Sequence, residues 1–128
     1  MSQYSAPLAD MAVDSVRDVM LVVTVGAGAE ETVIASGRFV AAPGDAVPQS
    51  GEIAFVVEED YQGLGIAGRL LRHLADVART RGVATFEADV LAENKSMLAV
   101  FAKSGLPMQQ RREGGVVHVT LALRGAAG

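Results

Sequence analysis

Glu58-Glu59-Asp60-Tyr61-Gln62-Gly63-Leu64-Gly65-Ile66-Ala67-Gly68 decides how this chain is read. Before it, Glu52-Ile53-Ala54-Phe55-Val56-Val57 is a β-rich run. After it, apolar residues fall at Ile66, Leu70, Leu71, Leu74, Val77 and Ala78, with Arg69, Arg72, His73, Asp76 and Arg79 between them. That spacing predicts an amphipathic helix ended by Gly82. The segment therefore joins a strand to a helix through closely spaced glycines. Glycine lets a backbone turn tightly and approach a ligand with no Cβ in the way. The free N–H groups of the first helical turn, with a dipole equivalent to about +0.5 charge, favour an anion. A phosphate-bearing ligand is the chemical reading. The plainer one is a glycine-rich opening to an ordinary helix.

Working outward, Val19 to Val25 and Thr32 to Ala42 are two further β-rich runs. Gly26 and Gly28 break the first, and Pro43-Gly44-Asp45 breaks the second, with a loop running on to Gly51. The turns are too short for a crossover helix, so the three runs predict an antiparallel meander. Downstream, Ala84 to Leu91 reads as a strand. Asn94 caps a second helix carrying Met97, Leu98 and Phe101, which Gly105 and Pro107 end. Val117, Val119, Leu121 and Leu123 then alternate with Val116, His118, Thr120 and Ala122 in a hairpin turned at Gly114-Gly115. Residues 1–15 read as a short helix on Leu8, Met11, Ala12 and Val16, or as an ordered tail. The order is β-β-β-α-β-α-β-β, and the third strand, first helix and fourth strand make one right-handed parallel crossover.

The 128 residues suit a single domain spanning 1–128, with its core in 18–124. Lys plus Arg number 11 against 15 Asp plus Glu, a formal net charge of −4, which argues against a general nucleic-acid binder. The absence of cysteine excludes disulfides, thiolate zinc sites, iron–sulfur ligation and an acyl-cysteine intermediate. No apolar run approaches the ~20 residues of a membrane span. Met1 to Asp14 lacks the basic-then-apolar pattern of a secretory signal. A cytoplasmic chain with no membrane and no nucleic-acid partner is the expectation. His73 and His118 have no companion at metal-ligand spacing, so both read as structural and no metal is expected. Gly63-x-Gly65-x-x-Gly68 also matches a dinucleotide-binding fingerprint, with Glu87 or Asp89 at a suitable later spacing. Against it, Glu58 to Gln62 separate the strand from the first glycine, and the flanking runs are hairpins instead of repeated βαβ units.

Gln62-x-x-Gly65-x-Ala67 resembles the coenzyme A signature of the GNAT superfamily of N-acetyltransferases, Arg/Gln-x-x-Gly-x-Gly/Ala. Asn94, Met97, Phe101, Gly105 and Leu106 follow that family's second pattern, and residues 51–106 look like a GNAT core throughout. The wording is most similar to bacterial protein-lysine acetyltransferase domains. The resemblance implies an α/β (α+β) fold: a mixed, mostly antiparallel sheet with helices on both faces, here with a shortened N-terminal strand–helix unit. It implies acetyl-CoA as cosubstrate. The diphosphate would sit on the backbone of Gln62, Gly63, Leu64, Gly65, Ile66, Ala67 and Gly68. The pantetheine arm would lie along Ala54 to Val57, touching Phe55, Val56 and Val57 where this strand and the next splay apart. Arg69 or Arg72 would meet the adenosine 3′-phosphate, unless both are a solvated helix face. Asn94 would stand beside the pantetheine or serve as a plain cap.

Without cysteine, direct attack of an amine on the thioester is the simpler route. A lysine amine with a pKa of about 10.4 is neutral near pH 7 only about once in 2,500, so a proton acceptor matters. The resemblance places that base at Glu52, in Gly51-Glu52-Ile53-Ala54-Phe55; the alternative is a charged strand edge. Glu87 and Asp89, alternating on one strand face, rank below it, and Glu58, Glu59 and Asp60 read as a solvated turn. The N–H of Val56 or Val57 would serve the developing oxyanion. Two departures from the family stand out. Phe101 occupies the place where many members carry a tyrosine that protonates the leaving sulfur, and Tyr61 is a weak substitute. Only the residues before Val19 are left to build the acceptor wall, so a homodimer partner is a candidate source of it. The expected function is acetyl transfer to an amine, a protein lysine ahead of a small amine. The alternative is a noncatalytic coenzyme A-binding or interaction module on the same scaffold.

Overall fold

The computed structural model describes residues 8–14, 18–26, 28–41 and 49–123. The strands are β1 (Leu8–Asp14), β2 (Asp18–Val25), β3 (Thr32–Ala41), β4 (Gln49–Val57), β5 (Val83–Leu91), β6 (Met108–Glu113) and β7 (Val116–Ala122). Helix α1 (Ile66–Thr80) joins β4 to β5, and α2 (Lys95–Ala102) follows β5. They form one mixed α/β sheet in the order β1-β2-β3-β4-β5-β7-β6. Among its described pairs only β4/β5 is parallel. The meander, the crossover and the C-terminal hairpin are all as the sequence predicts.

Three expectations need correction. Leu8–Asp14 is a strand, paired antiparallel with β2, where a helix or tail was expected. Its pairing shifts register between Leu8 and Met11 and again between Met11 and Val13. Those irregularities break the period-two pattern that marks a strand in sequence. β1 covers the edge of β2 and is itself the edge strand of the sheet. Next, β4 begins at Gln49, not Glu52, because Gln49, Ser50 and Gly51 pair with Val83, Thr85 and Phe86 of β5. The rest of the expected loop, 43–48, lies outside the described residues, as do 1–7 and 15–17.

The third concerns the helix layers. Val19, Leu21 and Val23 of β2, Ala35, Phe39 and Ala41 of β3, and Val117, Val119 and Leu121 of β7 are buried in alternation, which breaks only where Ile34 beside Ala35 is also buried at the β2/β3 register shift. Leu70, Leu71, Leu74 and Ala78 of α1 cover them, and Phe101 of α2 joins the same core. Phe39 meets Phe86 with ring centroids 5.4 Å apart, and Phe55 meets Phe101 at 6.2 Å. Both described helices thus stand on one face of the sheet. On the opposite face Glu52, Val56, Glu87, Asp89 and Leu91 are exposed, and no described helix covers them. Leu8–Asp14, ahead of β2, pair with it and extend the sheet instead of adding to a helix layer.

Gly37 shapes the site-bearing strand. A Cβ there would lie 2.8 Å from the Phe55 ring, so the ring packs flat over β3 only because that position is glycine. Truncating the fully buried Leu74, which packs over this spot, should cost about 2–5 kcal/mol of folding free energy. Urea unfolding of Leu74→Ala checks this, and a loss near zero would contradict the assigned core.

Candidate functional site

The β4/β5 ladder is short. It runs from Gln49↔Val83 to Glu52↔Glu87 and stops there, although β4 continues to Val57 and β5 to Leu91. Beyond Glu52, β4 pairs only with β3, and beyond Glu87, β5 pairs only with β7. A slot opens between them. Glu58 N–H donates to Ile34 O at 2.8 Å, which fixes the parity of the β3/β4 pairs. Alternation then turns the backbone groups of Val56 and Ala54 toward β3, and those of Phe55 and Val57 toward the slot. Of the two N–H groups expected to serve the oxyanion, the register therefore presents that of Val57. The Gln62 amide donates to Val57 O at 3.1 Å and ties the glycine loop to the end of β4.

That loop opens α1. Gly63 and Gly65 have φ of 80° and 83°, the left-handed region that glycine tolerates, and Gly65 caps the helix. Arg69 N–H is bonded to Gly65 O at 3.1 Å. The three preceding N–H groups, of Ile66, Ala67 and Gly68, precede the first intrahelical donor. A Cβ built at Gly63, Gly65 or Gly68 would meet nothing within 4 Å, so the loop borders open space. That space is a cavity of about 740 Å³ between α1 and α2, reaching from the slot past the glycine loop. Phe55, Val56, Val57, Gln62, Ala67 and Asn94 line it together with these glycines. Arg69, Arg72, Arg79 and Lys103 also line it, Arg79 being paired with Asp76 at 2.9 Å, and no carboxylate is among its described lining residues. The site thus offers backbone donors, an apolar trough and four cations, which suits a ligand with an extended middle and anionic phosphates.

The structure gathers the expected residues of the loop, slot and helix start around the cavity except Leu64, which is exposed and does not line it, and Ile66, whose side chain lies in the core. It separates Glu52 from them, for Glu52 lies on the open face at the last rung of the ladder. Asn94 Oδ1 accepts from Met97 N–H at 3.1 Å and caps α2, while the residue also borders the cavity. Phe101 is 1% exposed, in the core against Phe55, and offers no proton. Tyr61 is half-buried and lines the cavity. Sequence reasoning missed the α2 wall. Ser96, Val100 and Lys103 follow one another at helical spacing, and Arg72 and Arg79 are seven apart on α1, so periodicity held that signal.

The open face carries its own polar cluster. Arg38 makes a bidentate ion pair with Asp18, which holds the Asp18 carboxyl below its usual range. His118 bonds through Nδ1 to Asp89 and through Nε2 to Glu113, the latter at 3.1 Å. The expected structural reading of His118 thus gains two charged partners. The hydrogen bond to Asp89, then that to Glu113, raises the His118 pKa above its ordinary value.

The sequence matches the acetyltransferase (GNAT) family over residues 4–106, and the chain belongs to that family. Acetyltransferase Pat of Mycolicibacterium smegmatis is 40% identical over 78 residues, 61% of this chain and 23% of Pat. Acetyltransferase PA5475 of Pseudomonas aeruginosa is 44% identical over 46 residues, 36% of this chain and 25% of that protein. The matches span about a quarter of these curated relatives. Among solved structures, the GNAT domain of S. lividans PAT superposes with a TM-score of 0.72 at 36% identity, covering 84% of this chain and 61% of that one. The cAMP-binding acyltransferase from Mycobacterium smegmatis gives 0.73 at 33%, covering 90% and 34%. yncA from Salmonella typhimurium, solved with its cofactor acetyl-CoA, shares the fold at 0.70 and 21%, covering 87% and 68%.

A raised His118 pKa has a signed consequence. Its ion pairs add stability in full below the unfolded pKa of about 6.5, and lose it as pH rises through the higher folded value. The urea midpoint of the wild-type chain should exceed that of His118→Gln most near pH 5.5, and the gap should shrink with rising pH. A pH-independent gap would contradict the ion-pair assignment.

Proposed function

We propose that the chain is an N-acetyltransferase that moves an acetyl group from acetyl-CoA to an amine by direct attack, with a protein lysine as acceptor. The observation that carries this reading is the slot. The ladder ends at Glu52/Glu87, Phe55 and Val57 turn their backbone groups into the gap, and the gap leads into a cation-lined cavity at a helix N-terminus. A coenzyme A chain fits that sequence of surfaces: the backbone of Phe55 for the pantetheine, free N–H groups of Ile66, Ala67 and Gly68 for the diphosphate, and Arg69 or Arg72 for the 3′-phosphate. Acetyl-CoA supplies, when bound, an acyl group activated as a thioester.

The chain's own residues do the rest. Glu52, at the slot's closed end on the face away from the cavity, takes a proton from the acceptor ammonium, directly or through water, and the neutral amine so formed attacks the thioester carbon as the thiolate leaves. Val57 N–H donates to the oxygen on which negative charge develops. With Phe101 buried, no side chain at that position protonates the sulfur; a thiolate of ordinary pKa about 8.5 leaves without one. The acceptor approaches across the open face, where Glu52, Glu87 and Asp89 favour a cationic group and the broad exposed surface suits a protein side chain. The buried Phe101 is also what favours the second reading, a coenzyme A-binding module without turnover.

Thiol release from acetyl-CoA over a panel of lysine peptides and small amines separates the two. Release with at least one amine is expected; tight acetyl-CoA binding with no release from any would favour the binding module. Glu52→Gln should lower turnover at neutral pH by about 10²–10⁴, recover partly at higher pH, and leave acetyl-CoA affinity alone. An unchanged rate would remove Glu52 as the base. Gly68→Ala should act with opposite signs on two readouts. It should stabilise α1 by roughly 0.5–1 kcal/mol, because glycine is a poor helix former. It should also weaken acetyl-CoA binding in calorimetry, because its methyl enters the open space beside the free amides. Undiminished affinity would place the diphosphate elsewhere.

A further inference from the structure

The open face at the slot's mouth is charged in an uneven way. Glu52 and Glu87 stand directly opposite each other on the last rung of the ladder. Like charges so placed repel. The basic side chains diagonal to them in register are Arg38, next to Glu52, and His118, next to Glu87. Arg38 is taken by Asp18. His118 is taken by Asp89 and Glu113, and Arg111 faces it from β6. Asp89 lies on the arm of β5 that has left β4, two residues beyond Glu87, so this cluster borders the mouth.

We propose that His118 is a specificity-determining residue whose charge sets how strongly the mouth of the slot takes a cationic acceptor. Protonated, His118 with Arg111 balances Asp89 and Glu113, and Glu52 and Glu87 alone attract the acceptor. When His118 loses its proton, one further uncompensated negative charge faces the mouth. The neutral ring still donates from Nδ1 to Asp89, so Asp89 stays in place, while Nε2 no longer has a proton for Glu113. The diagonal separation of His118 and Glu87 is about 7–8 Å, within the Debye length of about 8 Å at physiological salt, so the change is felt at the mouth. The charged groups facing His118 are Asp89 and Glu87 from β5 and Glu113 and Arg111 from β6. The two carboxylates bonded to His118 raise its pKa, which places the change above the ordinary imidazole range. A lysine ammonium, with a pKa of about 10.4, stays charged through that range.

This inference rests on the proposed acetyl transfer only for calling the open face the acceptor side. The test is an NMR titration of the full chain with pentalysine at pH 5.5 and 8.5, following resonances at Val56, Asp89 and Leu91. Wild-type affinity should rise about two- to fivefold between the two pH values, the size typical of an exposed charge interaction. His118→Gln should bind at pH 5.5 as tightly as the wild type does at pH 8.5. His118→Arg, which keeps the positive charge, should bind weakly at both. A purely structural role would make both variants bind worse. Absence of pentalysine binding at this mouth, a flat wild-type profile, or His118→Gln no tighter than wild type at pH 5.5 would each overturn the proposal. Acetyl-CoA calorimetry on the same samples keeps the two ideas apart: heat from acetyl-CoA with a failed pentalysine result sinks this inference alone, and no heat sinks the reading beneath it.

Discussion

Everything at the site follows from a parallel ladder that stops early. Two neighbouring strands in a sheet ordinarily satisfy one another's backbone groups along their shared length, and a buried N–H or C=O without a partner is costly. β4 and β5 share only the rungs up to Glu52/Glu87. Above that point each is held from its other side, β4 by β3 and β5 by β7, so the divergence does not unravel the sheet. The backbone of Phe55 and the N–H of Val57 thereby face an open gap rather than a partner strand, as at a sheet edge that could take an added strand. The core supports that arrangement through one close approach. Because Gly37 has no side chain, the Phe55 ring lies over β3 and reaches Phe101, fixing the strand that forms one side of the slot.

The two faces of the sheet divide the work. The helix face supplies the cavity, the glycine loop and the cations, and carries no carboxylate among the described residues of the cavity wall. The open face supplies carboxylates and engages Arg38 with Asp18, and His118 with Asp89 and Glu113. Under the proposed acetyl transfer, an anionic carrier and a cationic acceptor would enter from opposite sides and meet where the ladder ends. Opposite charges on the two faces would then keep each substrate from the other's surface, a form of selectivity by repulsion.

Much of this was legible in the amino-acid order. The apolar stripe from Ile66 to Ala78 could only be an amphipathic helix, and Asn94 followed by an apolar run read as a cap. The glycines at 63, 65 and 68 marked the loop, and the motifs around Gln62 and Asn94 named the family before the fold was seen. What escaped was what depends on register. β1 has two pairing shifts in seven residues, so no simple period marks it. Gln49 to Gly51 look like loop until β5 recruits them. That Glu52 faces Glu87, that Val57 and not Val56 turns its N–H into the slot, and that His118 sits between two carboxylates are facts of strand alignment. Residues 29 and 35 positions apart meet only once the sheet has formed.

The most direct test of the account is a 1H–15N NMR titration of the chain with acetyl-CoA. Saturable shifts are expected at the amides of Phe55, Val57, Ile66, Ala67 and Gly68, with smaller ones at Ser36 and Val56, whose groups face each other across β3 and β4. No saturable change, or changes confined to other parts of the sheet, would contradict the claim that the open ladder and the glycine loop together hold the acetyl donor.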